Sequence, residues 1–134
     1  MTAERASLRR EVRIGAPADE VWAVIGDPAR IVEWWPGIVD AKVDGDSRVV
    51  TTGAGLPMPE TILVNDRLQR RFQYRITAPM FREHTSTLDV IDLDDGTSLV
   101  VYSVDAEPST MALVIAGAAG NALQHLRALI EGAT

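Results

Sequence analysis

From Leu8 the chain alternates, with Leu8, Arg10, Val12 and Ile14 on one side and Arg9, Glu11 and Arg13 on the other. A period of two with Val and Ile predicts a strand. Gly15-Ala16-Pro17 ends it, and Pro17 suits the first position of a helix. Asp19 and Glu20 then fall in the first turn, where the helix dipole favours carboxylates. Val21, Trp22, Val24 and Ile25 give this helix an apolar side, and Trp22 is expected in the core. Asp27-Pro28 repeats the signal, an N-cap carboxylate followed by proline. A second short helix is predicted over 28–35, stopped by Pro36-Gly37.

Strand patterns follow. Residues 38–43 form one, Asp44-Gly45-Asp46 a turn, and 48–52 another strand before a bend at 53–57. Met58, Glu60, Ile62 and Val64 alternate against Pro59, Thr61 and Leu63, and the polar stretch 65–69 reads as a hairpin turn. Phe72, Tyr74 and Ile76 alternate against Arg71, Gln73 and Arg75. Residues 81–91 are strand-like, Asp94-Asp95-Gly96 is a strong turn, and 97–106 is rich in β-branched residues.

Pro108 closes the sheet region, and Ser109 or Thr110 can cap a last helix. There Ile115, Ala119, Ala122, Leu126, Leu129 and Ala133 recur at spacings of three and four, widened by Leu123 and Ile130. The stripe predicts a helix of about 25 residues, roughly 37 Å long. One strand, two short helices, six more strands and a long helix make an α+β protein. Its seven strands form an antiparallel meander with the long helix over the inner face. Where a strongly bent sheet cannot be filled by that helix, the unfilled part is a pocket.

Composition narrows the classes. With 134 residues, 46% of them hydrophobic, the chain is expected to form one domain over 1–134 without metals or disulfides. It has no cysteine, which excludes a thiol nucleophile and a cysteine-ligated metal. A net charge of −6 disfavours nucleic acid as a partner. Residues 1–10 hold no apolar run suited to a signal peptide, and the run 111–119 is too short to span a bilayer. A cytoplasmic location is the expectation. There is no glycine-rich phosphate or dinucleotide loop and no nucleophile elbow. His84 and His125 lie on different elements, so no metal site and no cofactor are expected, and His125 is expected at the surface.

These residues together resemble the START-like (SRPBCC, helix-grip) superfamily, most closely the bacterial polyketide cyclase/dehydrase-type proteins. The carriers are Ala16-Pro17-Ala18-Asp19-Glu20-Val21-Trp22, Trp34-Trp35-Pro36-Gly37, the paired strands of 62–76, Asp95-Gly96-Thr97 and Glu107-Pro108. They span nearly the whole chain, but as structural punctuation they specify fold far better than chemistry. The resemblance implies a curved sheet wrapped on the terminal helix, with a hydrophobic cavity between them gated near the short helices. It also implies a small hydrophobic ligand. Members of the superfamily include lipid carriers, hormone and antibiotic binders and aromatase/cyclases.

Candidate residues follow from strand phase. Glu60 is the one carboxylate on an otherwise apolar face. It is either a buried group with a raised pKa, able to anchor a ligand or move a proton, or a solvated residue near the bend at 53–57. Tyr74, between Phe72 and Ile76, and Tyr102, between Val100 and Val104, face inward; each hydroxyl bonds either a ligand or the protein. His84 shares its phase with Ser86, Leu88 and Val90. It is either an acid–base group working with Tyr74 or Glu60, or a satisfied core histidine. Adjacent Trp34 and Trp35 point about 100° apart on a helix, one toward the core and one toward the cavity mouth. Met58, Met80 and Met111 are adaptable apolar fillers. The small residues Gly117-Ala118-Ala119-Gly120 either leave room for a ligand or allow close helix–sheet contact. The candidate lining is therefore Trp34, Trp35, Met58, Glu60, Ile62 and Phe72 on the front elements and sheet. Tyr74, His84 and Tyr102 continue it, and Met111, Ile115, Ala118, Ala119 and Ala122 supply the helix side.

Three functions fit: a carrier or binder of a small hydrophobic or aromatic molecule, a cofactor-free cyclase or dehydratase using His84, Tyr74 or Glu60, and a structural or regulatory protein with a filled interior. Whether the protein is a monomer or a homodimer is left open by the sequence.

Overall fold

The computed structural model describes residues 4–132. The chain begins with β1 (Ala6–Ile14), α1 (Ala18–Ile25), a 3-10 turn at Pro28–Arg30 and α2 (Ile31–Trp34). Six strands follow: β2 (Ile38–Asp44), β3 (Ser47–Thr52), β4 (Pro57–Asp66), β5 (Arg71–Ile76), β6 (Glu83–Asp92) and β7 (Ser98–Glu107). The last element is α3 (Ser109–Gly132). The sheet is antiparallel in the order β1-β7-β6-β5-β4-β3-β2. Strands β2 to β7 form the expected meander, and β1 closes on β7, from Ala6 opposite Ala106 to Ile14 opposite Ser98. The short helices therefore carry the chain from one edge of the sheet to the other. The architecture is the expected α+β helix grip.

Local chemistry sets the joints. Pro17 is the N-cap of α1, one position before its predicted place, with φ −61° and ψ 149°. Asp27 caps the next turn through its side chain, which accepts from the Ala29 N–H at 3.2 Å, and Pro28 opens that turn. The predicted helix over 28–35 is thus a 3-10 turn followed by α2, with Trp35 as the C-cap. Gly37 continues at φ +85°, a left-handed conformation that a side chain would strain. Its carbonyl accepts from the Gly53 N–H at 2.8 Å, tying the 36–37 corner to the bend after β3.

Irregularities bend the sheet. Register shifts occur between Ile38 and Asp40 in β2 and between Ile62 and Val64 in β4, and such bulges kink a strand and increase its twist. Strand β4 runs to Asp66, past the predicted turn at 65. Asn65 donates to the Gly26 carbonyl at 3.0 Å and Asp66 caps the true turn by accepting from Leu68 and Gln69.

Helix α3 packs on β1, β7 and α2. Its buried stripe is Ala112, Ala116, Ala119, Ala122, Leu123, Leu126 and Ile130. Ala119, Ala122, Leu123, Leu126 and Ile130 belong to the predicted stripe, Ala112 and Ala116 extend it toward the N-terminus, and Ile115 and Leu129 are half-buried at its borders; Ala133 lies outside the described residues. The alanines bring the helix close to β1 and β7, and a Cβ on Gly120 would lie 3.6 Å from the Arg10 side chain. By length and composition α3 could cross a bilayer, but its stripe is the core contact with the sheet. Trp22 is half-buried rather than core: its indole covers Gly26, where an added Cβ would stand 2.6 Å from the ring.

Candidate functional site

Because α3 rests on the β1–β7 side, the concave face of β3 to β5 is left partly uncovered. A cavity of about 420 Å³ lies there, between the sheet, the α2–β2 corner and the N-terminal half of α3. The sheet contributes Val50, Thr52, Met58, Glu60, Tyr74 and Ile76. Ile31, Trp35 and Ile38 wall the front, and α3 supplies Ile115 and Ala118. Pro36, Gly37, Gly53, Ala54 and Ala118 are exposed and frame the mouth. The interior is open, not filled.

One carboxylate stands in this apolar wall. Glu60 is 6% exposed, and directly across the ladder on β3 is Arg48, 3% exposed. Arg48 Nε donates to Glu60 Oε1 at 2.7 Å, Nη2 lies 2.7 Å from the same oxygen, and Nη1 donates to the Pro28 carbonyl at 3.1 Å. The guanidinium also lies over the rings of Phe72 and Tyr74, at 5.3 and 5.2 Å. Arg48 thereby takes one oxygen of Glu60. The other has no hydrogen-bond partner among the described residues and is not sealed from the cavity. Burial raises the Glu60 pKa, and the charge and hydrogen bonds of Arg48 oppose that rise.

Behind this wall runs a hydroxyl chain. The Tyr74 and Tyr102 hydroxyls are hydrogen-bonded to each other, and Ser86 also bonds Tyr74. Burial and the nearby Glu60 push Tyr74 up to about 12, and burial raises Tyr102 as well. His84 is fully buried: its Nδ1 accepts from the Ile76 N–H at 2.9 Å and its Nε2 meets Ser86 Oγ at 2.7 Å. An Nδ1 that accepts must be unprotonated, so the ring is neutral and Nε2 carries the hydrogen. Burial, with Arg75 adding repulsion, lowers its pKa to about 4. The His84 ring ties β6 to β5, one layer behind the cavity.

Among the sequence candidates, Trp35, Met58, Glu60, Tyr74, Ile115 and Ala118 meet at the cavity. Trp34 is core and packs against Trp35, ring centroids 5.7 Å apart. Ile62 and Phe72 are buried in the sheet-side core, and Tyr102 touches Trp35 at 5.7 Å. Met111 is half-buried against the core, while Ala119 and Ala122 are enclosed in the core. Met80 and His125 are exposed. Sequence reasoning missed Arg48, whose signal was its phase with Val50 and Thr52 on β3. Among the described residues no group of three or more His, Asp or Glu side chains is arranged to hold a metal ion.

Comparison with known proteins extends the picture. The family model described as "Polyketide cyclase / dehydrase and lipid transport" matches residues 5–131. Among solved structures, an uncharacterized protein from Bacillus thuringiensis superposes with a TM-score of 0.86 at 24% identity, covering 93% of this chain and 98% of that one. Norcoclaurine synthase from Thalictrum flavum, in complex with dopamine and hydroxybenzaldehyde, gives 0.76 at 14% identity, covering 97% and 88%. A START superfamily protein from Mycobacterium smegmatis gives 0.70 at 15% identity, covering 94% of each chain. At these identities the likeness is one of fold. No curated protein matches the sequence.

Proposed function

The chain belongs to the polyketide cyclase / dehydrase and lipid transport family, and from that premise we propose that it binds a small hydrophobic or aromatic molecule, lipid- or polyketide-like, between the sheet and α3. The observation that carries this reading is the open cavity of about 420 Å³. Ligand pockets of roughly 300–1,000 Å³ with apolar walls and few polar groups are the general pattern. Here the polar groups of the wall are the side chains of Thr52, Glu60 and Tyr74 and the indole N–H of Trp35. Trp35 offers an indole face to a flat ring, and the structural likeness to a synthase holding two aromatic compounds supports an aromatic ligand.

A second reading, cofactor-free proton transfer of the cyclase or dehydratase type, is favoured by Glu60 alone. Its carboxyl faces the cavity and burial moves its pKa toward neutrality. Tyr74 also lines the cavity with its hydroxyl bonded to Tyr102, and His84 stands one layer behind it, bonded to Ser86.

Native mass spectrometry of freshly purified protein, with identification of released small molecules, tests the binding reading. A stoichiometric adduct supports it. A clean mass combined with no fluorescence gain by the neutral probe N-phenyl-naphthylamine would count decisively against it.

A further inference from the structure

The polar contacts around the cavity are unequally satisfied. Arg48 directs Nε and Nη2 at Glu60 Oε1 and Nη1 at Pro28 O, and it is not part of the cavity wall. The Tyr74 hydroxyl is taken by Tyr102 and Ser86. Thr52, at the half-buried edge, accepts from the Leu56 N–H at 3.2 Å. In the buried part of the wall what remains for a guest is the second oxygen of Glu60, an acceptor; the donors left over, the Thr52 hydroxyl hydrogen and the Trp35 indole N–H, belong to half-buried residues. Among the described residues no lysine, arginine or histidine lines the cavity. The charge of Arg48 and its Nε–H hydrogen bond favour the ionised form of Glu60 and oppose the rise that burial causes.

We infer that this cavity selects molecules whose buried polar group donates a hydrogen bond, such as a phenol, an alcohol or an amine, and that it rejects carboxylates, free fatty acids among them. The inference rests on the cavity being a binding site. A donor satisfies the open acceptor of Glu60, whereas an ether leaves it unpaired and a carboxylate meets a like charge where water is excluded.

Equilibrium dialysis of the wild-type protein at neutral pH against a naphthol, the corresponding methoxynaphthalene and the corresponding naphthoate decides it. The three probes share one ring system and differ in donor, ether and anion. The naphthol is expected to bind about tenfold or more tightly than the ether, because hydrogen bonds to charged groups are the stronger class, and the naphthoate weakest of all. An ether or a naphthoate that matches the naphthol overturns the inference while leaving cavity binding intact. Absence of binding by all three overturns both. Ala118→Phe, at the mouth, is expected to weaken naphthol binding; undiminished binding would place the probe elsewhere and overturn the inference as well. In Glu60→Gln, whose amide both donates and accepts, the disadvantage of naphthoate is expected to shrink, and an unchanged disadvantage also counts against the inference. Should that variant fail to fold, the wild-type series still decides.

Discussion

Arg48 and Glu60 stand directly opposite each other on β3 and β4, buried to 3% and 6% exposure and joined at 2.7 Å. The pair is the polar centre of an otherwise apolar concave face. Removing two charges from water costs several kcal/mol per ion, and their mutual attraction repays it only with good geometry and further hydrogen bonds. Those are present: the Pro28 carbonyl holds Nη1, and two aromatic rings cover the guanidinium. The same bonds fix the carboxylate where a guest would meet it.

Arg48→Met is therefore expected to destabilise the protein by about 3–5 kcal/mol, because Glu60 is left buried without its partner. Arg48→Met with Glu60→Met should recover most of that loss, since a well-packed apolar pair replaces the ion pair at little net cost. Urea unfolding of the two single variants and the double variant measures the cycle. Additive losses in the double variant would show that the two side chains do not act as a pair.

His84 gives the stability a pH dependence of known sign. Its folded pKa of about 4 lies below the ordinary value of 6.5, so between these values the unfolded chain binds more protons. The contribution is fully present above pH 6.5 and is lost as pH falls toward 4, to a total on the order of 3 kcal/mol. Glu60, whose pKa is raised, contributes in the opposite direction in the acid range. The histidine part is isolated by His84→Gln, which can still accept from Ile76 and donate to Ser86. Thermal unfolding from pH 7 to 4 should fall less steeply in this variant; identical slopes would remove His84 as the cause.

Much of this was legible in the sequence for local reasons. Period-two alternation in β1, β5 and β6 placed Val12, Tyr74 and His84 inward, and the structure buries all three. Asp27-Pro28 marked a helix start that the Asp27 side chain does cap. Arg48 was not legible as a core residue, since a charged side chain at a strand start is ordinarily solvated, and only the register with Glu60 reveals the pair. The contact line on α3 was read correctly at Ala119, Ala122, Leu123, Leu126 and Ile130, but its N-terminal end was placed on Ile115 because a large residue outweighs alanine in an apolar count. Close approach to β1 and β7 selects Ala112 and Ala116 instead. The fate of Glu60 was open because the bend at 53–57 gave no sign of whether the strand beyond it was covered.

Gly26 and Trp22 form a dependent pair at the end of α1. The Gly26 backbone is ordinary, at φ −72°, so an alanine there is not strained by conformation. Its Cβ would nevertheless stand 2.6 Å from the Trp22 ring. Gly26→Ala is expected to cost about 1–3 kcal/mol by overpacking, and the cost should fall when Trp22→Phe is added. Chemical denaturation of the single and double variants checks this; a neutral Gly26→Ala would mean that the indole moves aside freely.

Neighbouring alanines on α3 separate cavity from core. Ala118 is exposed at the mouth and lines the cavity, whereas Ala119 is fully enclosed in the core. Ala118→Phe puts a ring into the open space, so ligand bound per protein should drop while the unfolding midpoint moves little. Ala119→Phe forces the helix off the core, and about 1–3 kcal/mol or more of stability should be lost. Dialysis with the naphthol and urea unfolding on both variants read the two quantities independently. Equal stability losses would show that α3 lies closer to β4 and β5 than the open cavity requires. Full ligand capacity in a stable Ala118→Phe protein would place the bound molecule away from this helix.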